Sequence, residues 1–192
     1  EDVSGLYSNM PERTKAMYSD DQAKKLATYN GKILALSSPS SIEKNEGVLI
    51  RKDWLDKLGL NVPKTTDEFF NVMKAFTEKD PDGNGKKDTY GYGAFIETND
   101  YSSFLGTRFD PLMGAFGAEG TWNLSSESEA GLTILKDSYF DALQYIKKIV
   151  DAKVINPYWT EYRKADFRTA WKLGKFGIMR EQNAAFGTQA NY

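Results

Sequence analysis

Nine residues, Asp80 to Asp88, read DPDGNGKKD and carry oxygen side chains at Asp80, Asp82, Asn84 and Asp88. Gly83 and Gly85 stand between them and allow sharp turns. A hard cation such as calcium takes about six to eight oxygens, and EF-hand-type loops supply them from positions 1, 3, 5, 7 and 9, with glycine at 6. Counted from Asp80, Gly85 falls at position 6, Lys86 at 7 and Asp88 at 9. The seventh position gives its backbone carbonyl, so a lysine is acceptable there. The twelfth is Gly91 in place of the bidentate glutamate. Water, the second oxygen of Asp88 or a group from elsewhere must then complete the shell. The competing reading is a plain turn, since Asn84-Gly85 is a strong turn signal without any ion. Four oxygen side chains at this spacing favour structural calcium held by Asp80, Asp82, Asn84, Lys86 and Asp88.

Other chemistries are narrowed by composition. The 192 residues contain no His and no Cys. Histidine-based triads, cysteine nucleophiles, disulfides and the usual zinc sites are therefore excluded. The net charge of −2 gives no reason to expect a nucleic acid or a membrane surface as partner. Aromatic residues make up 14%, which suits ring stacking on a ligand, although core packing accounts for most such residues. The opening EDVSGLYSN has no apolar signal run, and no stretch approaches a membrane span.

Several elements must position these residues. Pro11 opens a helix with Met10 and Met17 on its apolar side, and Asp20 caps another running to Tyr29. Lys32 to Ser38 reads as a buried strand after the Asn30-Gly31 turn. Residues 37–47 form a polar connection. Val48 to Arg51 is a strand, followed by a helix capped by Asp53 and stopped at Gly59. Thr65 to Lys79 is the clearest helix, with a Thr65/Glu68 capping box and an apolar stripe of Phe69, Met73 and Phe76. Tyr90 to Ile96 is a strand whose Gly91 and Gly93 leave one face open for close packing or a ligand. Short helices are expected over 101–106 and 111–116, and a turn-rich break carries Trp122. Asp137 to Ala152 is a helix with Phe140, Leu143, Ile146 and Val150 inward. Tyr162 to Leu173 is a helix ending at Gly174, and Lys175 to Met179 is a strand. Alternating strands and helices give an α/β fold. The pattern starts without an opening strand and stops without a closing helix, so a part of a larger protein is expected.

Four segments keep order and spacing: GVLIRKDWLDKLGL, VPKTTDEFFNVMKAFTEKDPDGNGKKDTYG, ALQYIKKIVDAKVINPYW and FRTAWKLGKFGIM. Together they resemble the extracellular solute-binding proteins of carbohydrate ABC transporters, in the lipoprotein branch that binds oligosaccharides. The likeness covers most of 31–179. It implies a type II periplasmic-binding-protein-like lobe, a fragment of a two-lobed protein whose lobes close on a sugar. On that basis residues 1–40 are the remnant of the first lobe and hinge, and 41–192 the second lobe. The implied partners are an oligosaccharide and a membrane permease, met by a monomer that is extracellular or periplasmic and membrane-anchored in full length. On that basis the anchor is expected to lie outside this chain. Some relatives place an acid after the residue equivalent to Asp88. Here it is Thr89, and a weak calcium site is expected, with a dissociation constant of about 10⁻⁴–10⁻³ M.

The resemblance puts the segment after the Tyr90–Ile96 strand at the cleft rim, which nominates Asn99, Asp100, Tyr101 and Arg108. The loop after Met179 nominates Arg180, Gln182 and Asn183 for a second wall. Trp122 and Trp159 are stacking candidates in loops, while Trp54 and Trp171 read as core. Each of these residues also has an ordinary structural reading as a surface charge or core cover. The alternatives are a secreted calcium-stabilised polysaccharide hydrolase, which needs paired carboxylates such as Asp100 with Glu119 or Glu181, or a calcium-dependent carbohydrate-binding module. Modules of the latter kind repeat their calcium loops, and only one such loop is present.

Overall fold

The computed structural model describes residues 2–17, 24, 25, 27–36, 46–96, 106–118, 120–123 and 130–182. The chain divides into two compact units, Glu1–Glu43 and Lys44–Tyr192.

In the first unit, helices α1 (Ser4–Ser8) and α2 (Glu12–Met17) precede a small hairpin of β1 (Thr28–Tyr29) and β2 (Lys32–Ile33). Asn30 and Gly31 both have positive φ, 48° and 75°, as a tight two-residue hairpin turn requires. The turn is where the sequence places it; among the described residues of the strand expected over Lys32 to Ser38, only Lys32 and Ile33 pair with β1, and Leu34 and Leu36 are exposed instead of buried. The helix expected to reach Tyr29 gives way to β1, which pairs across this turn.

The second unit is built on a three-stranded sheet of β3 (Glu46–Ile50), β4 (Tyr90–Gly93) and β7 (Phe176–Gln182), in the order β3-β7-β4. The central β7 runs antiparallel to β3 and parallel to β4. Residues Phe176 to Glu181 are all buried, as a strand flanked on both sides demands. It was expected to end at Met179. Arg180, Glu181 and Gln182 continue it: Arg180 pairs with Glu46, Glu181 with Arg108 and Arg168, and the Gln182 amide donates to Glu46.

Helices α3 (Lys52–Leu58) and α4 (Thr66–Glu78) follow β3. Gly59 at φ 65° ends α3, while Arg51, not Asp53, occupies the N-cap position. Asp53 sits in the first turn and pairs with Arg51. Thr65 caps α4 by accepting from Glu68 N at 3.2 Å, and Glu68 Oε2 accepts from Lys64 N at 2.7 Å. Met73 and Phe76 of α4 are fully buried beside Trp54, and the Trp54 and Phe76 rings meet edge-on at 5.3 Å. β4 is shorter than expected. Beyond Gly93 its backbone bonds pass to the segment after the next long helix: Ala94 N donates to Asn156 Oδ1 and Ile96 N to the Trp159 carbonyl.

A 3₁₀ turn, Thr107–Phe109, leads into α5 (Asp110–Gly114). The hairpin β5 (Trp122–Asn123) and β6 (Gly131–Leu132) and a second 3₁₀ turn, Thr133–Leu135, precede α6 (Asp137–Asp151). The inward face of α6 is Tyr139, Ala142, Tyr145, Ile146 and Ile149. Phe140, expected inward, is 62% exposed. The Tyr145 hydroxyl donates to the Thr66 carbonyl at 2.6 Å and fixes the helix in this rotation. Helix α7 (Lys164–Lys172) packs Phe167 and Ala170 against Phe95, Phe176 and Met179 in a second, smaller core.

Candidate functional site

Because β4 and β7 are parallel, their carboxyl ends lie at one edge of the sheet, together with the amino end of β3. Open α/β sheets place ligands outside the carboxyl ends of their strands. Three of the nominated residues, Gln182, Arg180 and Trp159, belong to this edge. Gln182 is the last residue of β7 and opposes Glu46, the first of β3. Its Nε2 donates to Glu46 Oε1 at 2.6 Å, and Arg180 pairs with the other Glu46 oxygen. Trp159 is bonded through its carbonyl to Ile96, just past β4, and its ring meets Phe109 edge-on at 5.6 Å. It is half-buried.

Arg108 is not a rim side chain. It is 2% exposed, pairs with Glu181 Oε1 at 3.1 Å and donates to the Arg180 carbonyl. Its guanidinium also lies over the rings of Phe95 and Phe167, 5.2 and 5.0 Å from their centroids. Arg180 is likewise 4% exposed and on a strand where a loop was expected. Burial holds its pKa below the ordinary guanidinium value, partly offset by Glu181. Trp122 lies on β5, is 61% exposed and pairs in register with Leu132. Asn99, Asp100, Tyr101 and Asn183 lie outside the described residues. Glu46, Glu181 and Arg168, which organise this edge, were not nominated as binding residues. Glu181 Oε2 faces Arg168 at 3.9 Å while Oε1 faces Arg108. Asp100 and Glu119, the other carboxylates of the hydrolase reading, lie outside the described residues.

The acidic loop lies elsewhere, between α4 and β4. Asp80 organises it. Its Oδ1 accepts from Gly83 N and Asn84 N at 3.0 and 3.1 Å, and its Oδ2 from Gly85 N at 3.0 Å. Gly83 and Gly85 take positive φ, 75° and 76°, which only glycine adopts freely. Asn84 Nδ2 donates to Asp82 Oδ2 at 2.8 Å and Asp88 Oδ1 at 3.0 Å, and its Oδ1 accepts from Lys86 N at 2.7 Å. Lys175 Nζ reaches Asp88 Oδ2 at 2.7 Å. That ammonium, then Asn84, holds the Asp88 carboxyl below the usual carboxylate range. The neighbouring Asp82 side chain, then the loop N–H groups, lowers Asp80.

The donor types suit a hard cation, and Lys175 already acts as a positive group on one of them. Among the described residues, however, no three acidic side chains converge as a ready metal cluster. The Asn84 amide is bonded between Asp82 and Asp88. Thr89 does not join the loop: its hydroxyl donates to the Phe76 carbonyl at 2.9 Å in the core. Gly91 and Gly93 serve packing. A Cβ on Gly91 would overlap the Met73 backbone, and one on Gly93 the Phe176 ring.

No family model matches the sequence. Lipoprotein LipO of Bacillus subtilis is 32% identical over 161 residues, covering 84% of this chain and 31% of that protein. The polygalacturonan/rhamnogalacturonan-binding protein YtcQ of the same organism is 34% identical over 160 residues, covering 80% of this chain and 29% of its own length. The Streptococcus pneumoniae ABC-transporter substrate-binding protein FusA, solved as an EF-hand mutant with fructo-nystose, superposes with a TM-score of 0.69 at 25% identity. It covers 95% of this chain and 39% of its own. Over most of its own length the chain is thus similar to part of these lipoproteins and substrate-binding proteins. It spans about a third of the length of these curated relatives. The sheet of β3, β7 and β4 with its helices is part of a lobe of such a solute-binding protein. Among the described residues no helix is long and apolar enough to cross a membrane.

Proposed function

We propose that this chain forms one wall of an oligosaccharide-binding cleft in the substrate-binding component of an ABC importer. The observation that carries the reading is the 34% identity to YtcQ across 80% of the chain. The polar edge at the carboxyl ends of β4 and β7 supports it. Gln182 and Glu46 offer donors and acceptors for sugar hydroxyls, and the half-buried Trp159 offers a ring for an apolar sugar face. Asn99, Asp100, Tyr101 and Asn183, which follow the same strands in sequence, are further candidates for sugar contacts. Trp122 supplies a second exposed ring. Arg108 and Arg180 act behind the surface, holding β7 and Glu46 in place. A second lobe closes over the sugar, and the closed, monomeric protein is read by a membrane permease. The homology to a lipoprotein supports an anchored location outside the cytoplasm.

Calcium is the structural cofactor of this reading, held by Asp80, Asp82, Asn84, Asp88 and the Lys86 carbonyl. Its positive charge would offset the loop carboxylates and stiffen the junction between α4 and β4.

The cleft reading is tested by nitrogen-15 NMR of the chain titrated with fructo-oligosaccharides, pectin-derived galacturonides and a neutral β-glucan fragment. At least one series should shift the amides of Ile96, Trp159 and Gln182 saturably, with millimolar affinity because one wall makes only part of the contacts. Saccharides that move none of these signals, or only distant ones, would refute the assignment.

A further inference from the structure

We infer that Lys175 is a built-in counter-ion of the acidic loop, which calcium must displace from Asp88 in order to bind. The inference rests on the calcium reading above. Lys175 is fixed by its backbone immediately before β7: its N donates to the Ala170 carbonyl and its carbonyl accepts from Tyr90 N, both at 2.9 Å. Its ammonium therefore meets the loop from a rigid base. It stands 2.7 Å from Asp88 Oδ2, with the two side chains 38% and 35% exposed.

A further cation faces the same loop. The Lys57 ammonium, from the last turn of α3, occupies the space where a Cβ on Gly83 would stand. Arg51, at the start of α3, is taken up by Asp53. Two basic side chains from separate elements thus meet the loop, Lys175 at Asp88 and Lys57 at Gly83. They relieve the repulsion that would otherwise open a loop carrying three carboxylates. The loop consequently keeps its turn geometry without an ion. An arriving calcium must also break the Lys175–Asp88 pair and tolerate a nearby ammonium. Both effects weaken its binding. Thr89, committed to the core, supplies no compensating ligand.

A thermodynamic cycle separates this role from simple packing. Calcium calorimetry and thermal melting are run on the whole chain as wild type, Lys175→Met, Lys175→Arg and Asp82→Ala. Removing the charge should tighten calcium binding about three- to tenfold, the scale of a partly exposed ion pair together with relieved repulsion. Lys175→Arg should bind as the wild type does. Without calcium Lys175→Met should melt below the wild type, and saturating calcium should close that gap. Equal or weaker calcium binding by Lys175→Met, with the wild type binding normally, overturns the inference and leaves the calcium reading intact. Calcium uptake by neither protein, or undiminished uptake by Asp82→Ala, overturns the calcium reading at this loop and the inference with it.

Discussion

Arg108 and Glu181 meet at 3.1 Å with 2% of either side chain exposed. Neither charge is solvated, so each depends on the other and on its remaining contacts. Arg108 additionally donates to the Arg180 carbonyl and lies over the neighbouring rings of Phe95 and Phe167, so one guanidinium ties the 3₁₀ turn to β7 and the α7 core. Deleting one member of such a pair costs about 3–5 kcal/mol, because the other is left charged and dry. Glu181→Gln should therefore lower the unfolding free energy by about 3 kcal/mol in urea melts. The double variant Arg108→Met/Glu181→Met should recover most of that loss, since packed apolar groups replace the pair without stranding a charge. A small effect of Glu181→Gln would mean that the Arg180 carbonyl and the neighbouring rings suffice for the Arg108 charge. The sequence exposed the charge of Arg108 but not its burial. Its acid lies on a distant strand, and no local pattern links the two.

At the scale of elements, the signals that were legible are local ones. The Thr65 cap, the Gly59 stop and the α4 stripe of Met73 and Phe76 are set by neighbours three or four residues away, and the structure has them where expected. The elements misread are those set by distant partners. β7 runs past Met179 because Glu46 and Arg108 satisfy its charges. Helix α6 turns Phe140 outward because the Tyr145 hydroxyl finds Thr66, a choice that hydrophobic periodicity cannot register. Two substitutions separate these cases. Gly91→Ala places a methyl against the Met73 backbone, which cannot rotate away as a side chain can. It should cost about 2–3 kcal/mol, the upper range for overpacking. Phe140→Ser removes an exposed ring and should change stability by no more than about 0.5 kcal/mol. Parallel denaturant melts check both. A large loss in Phe140→Ser would restore the inward face read from periodicity.

For the whole molecule, the absence of His and Cys leaves no side chain whose ordinary pKa falls between about 5 and 8. Stability should therefore be flat across neutrality and bounded by two different sets of groups. On the acid side stand Asp53, Asp80 and Asp88, each with a lowered pKa: Asp53 by Arg51, Asp80 by Asp82 and the loop N–H groups, and Asp88 by Lys175. A lowered carboxylate contributes fully above its unfolded value of about 3.9 and loses the contribution as pH falls through its folded value. These groups are exposed, so acid should erode stability gradually. On the alkaline side stand Tyr92 and Tyr145, raised by burial, and Lys175, raised by Asp88. Raised groups contribute fully below their unfolded values, about 10 for Tyr and 10.4 for Lys, and lose the contribution as pH climbs through the folded ones. Tyr92 is fully buried, with its hydroxyl bonded to the Arg108 carbonyl, so it should ionise only when the core opens. Melting temperature should thus form a plateau between about pH 5.5 and 9 and fall beyond both ends. The tyrosinate absorbance of the buried rings should rise together with the loss of structure at the alkaline end. Scanning calorimetry and absorbance over that range read this directly. A step in melting temperature near neutrality would require a group whose pKa the fold shifts into that range.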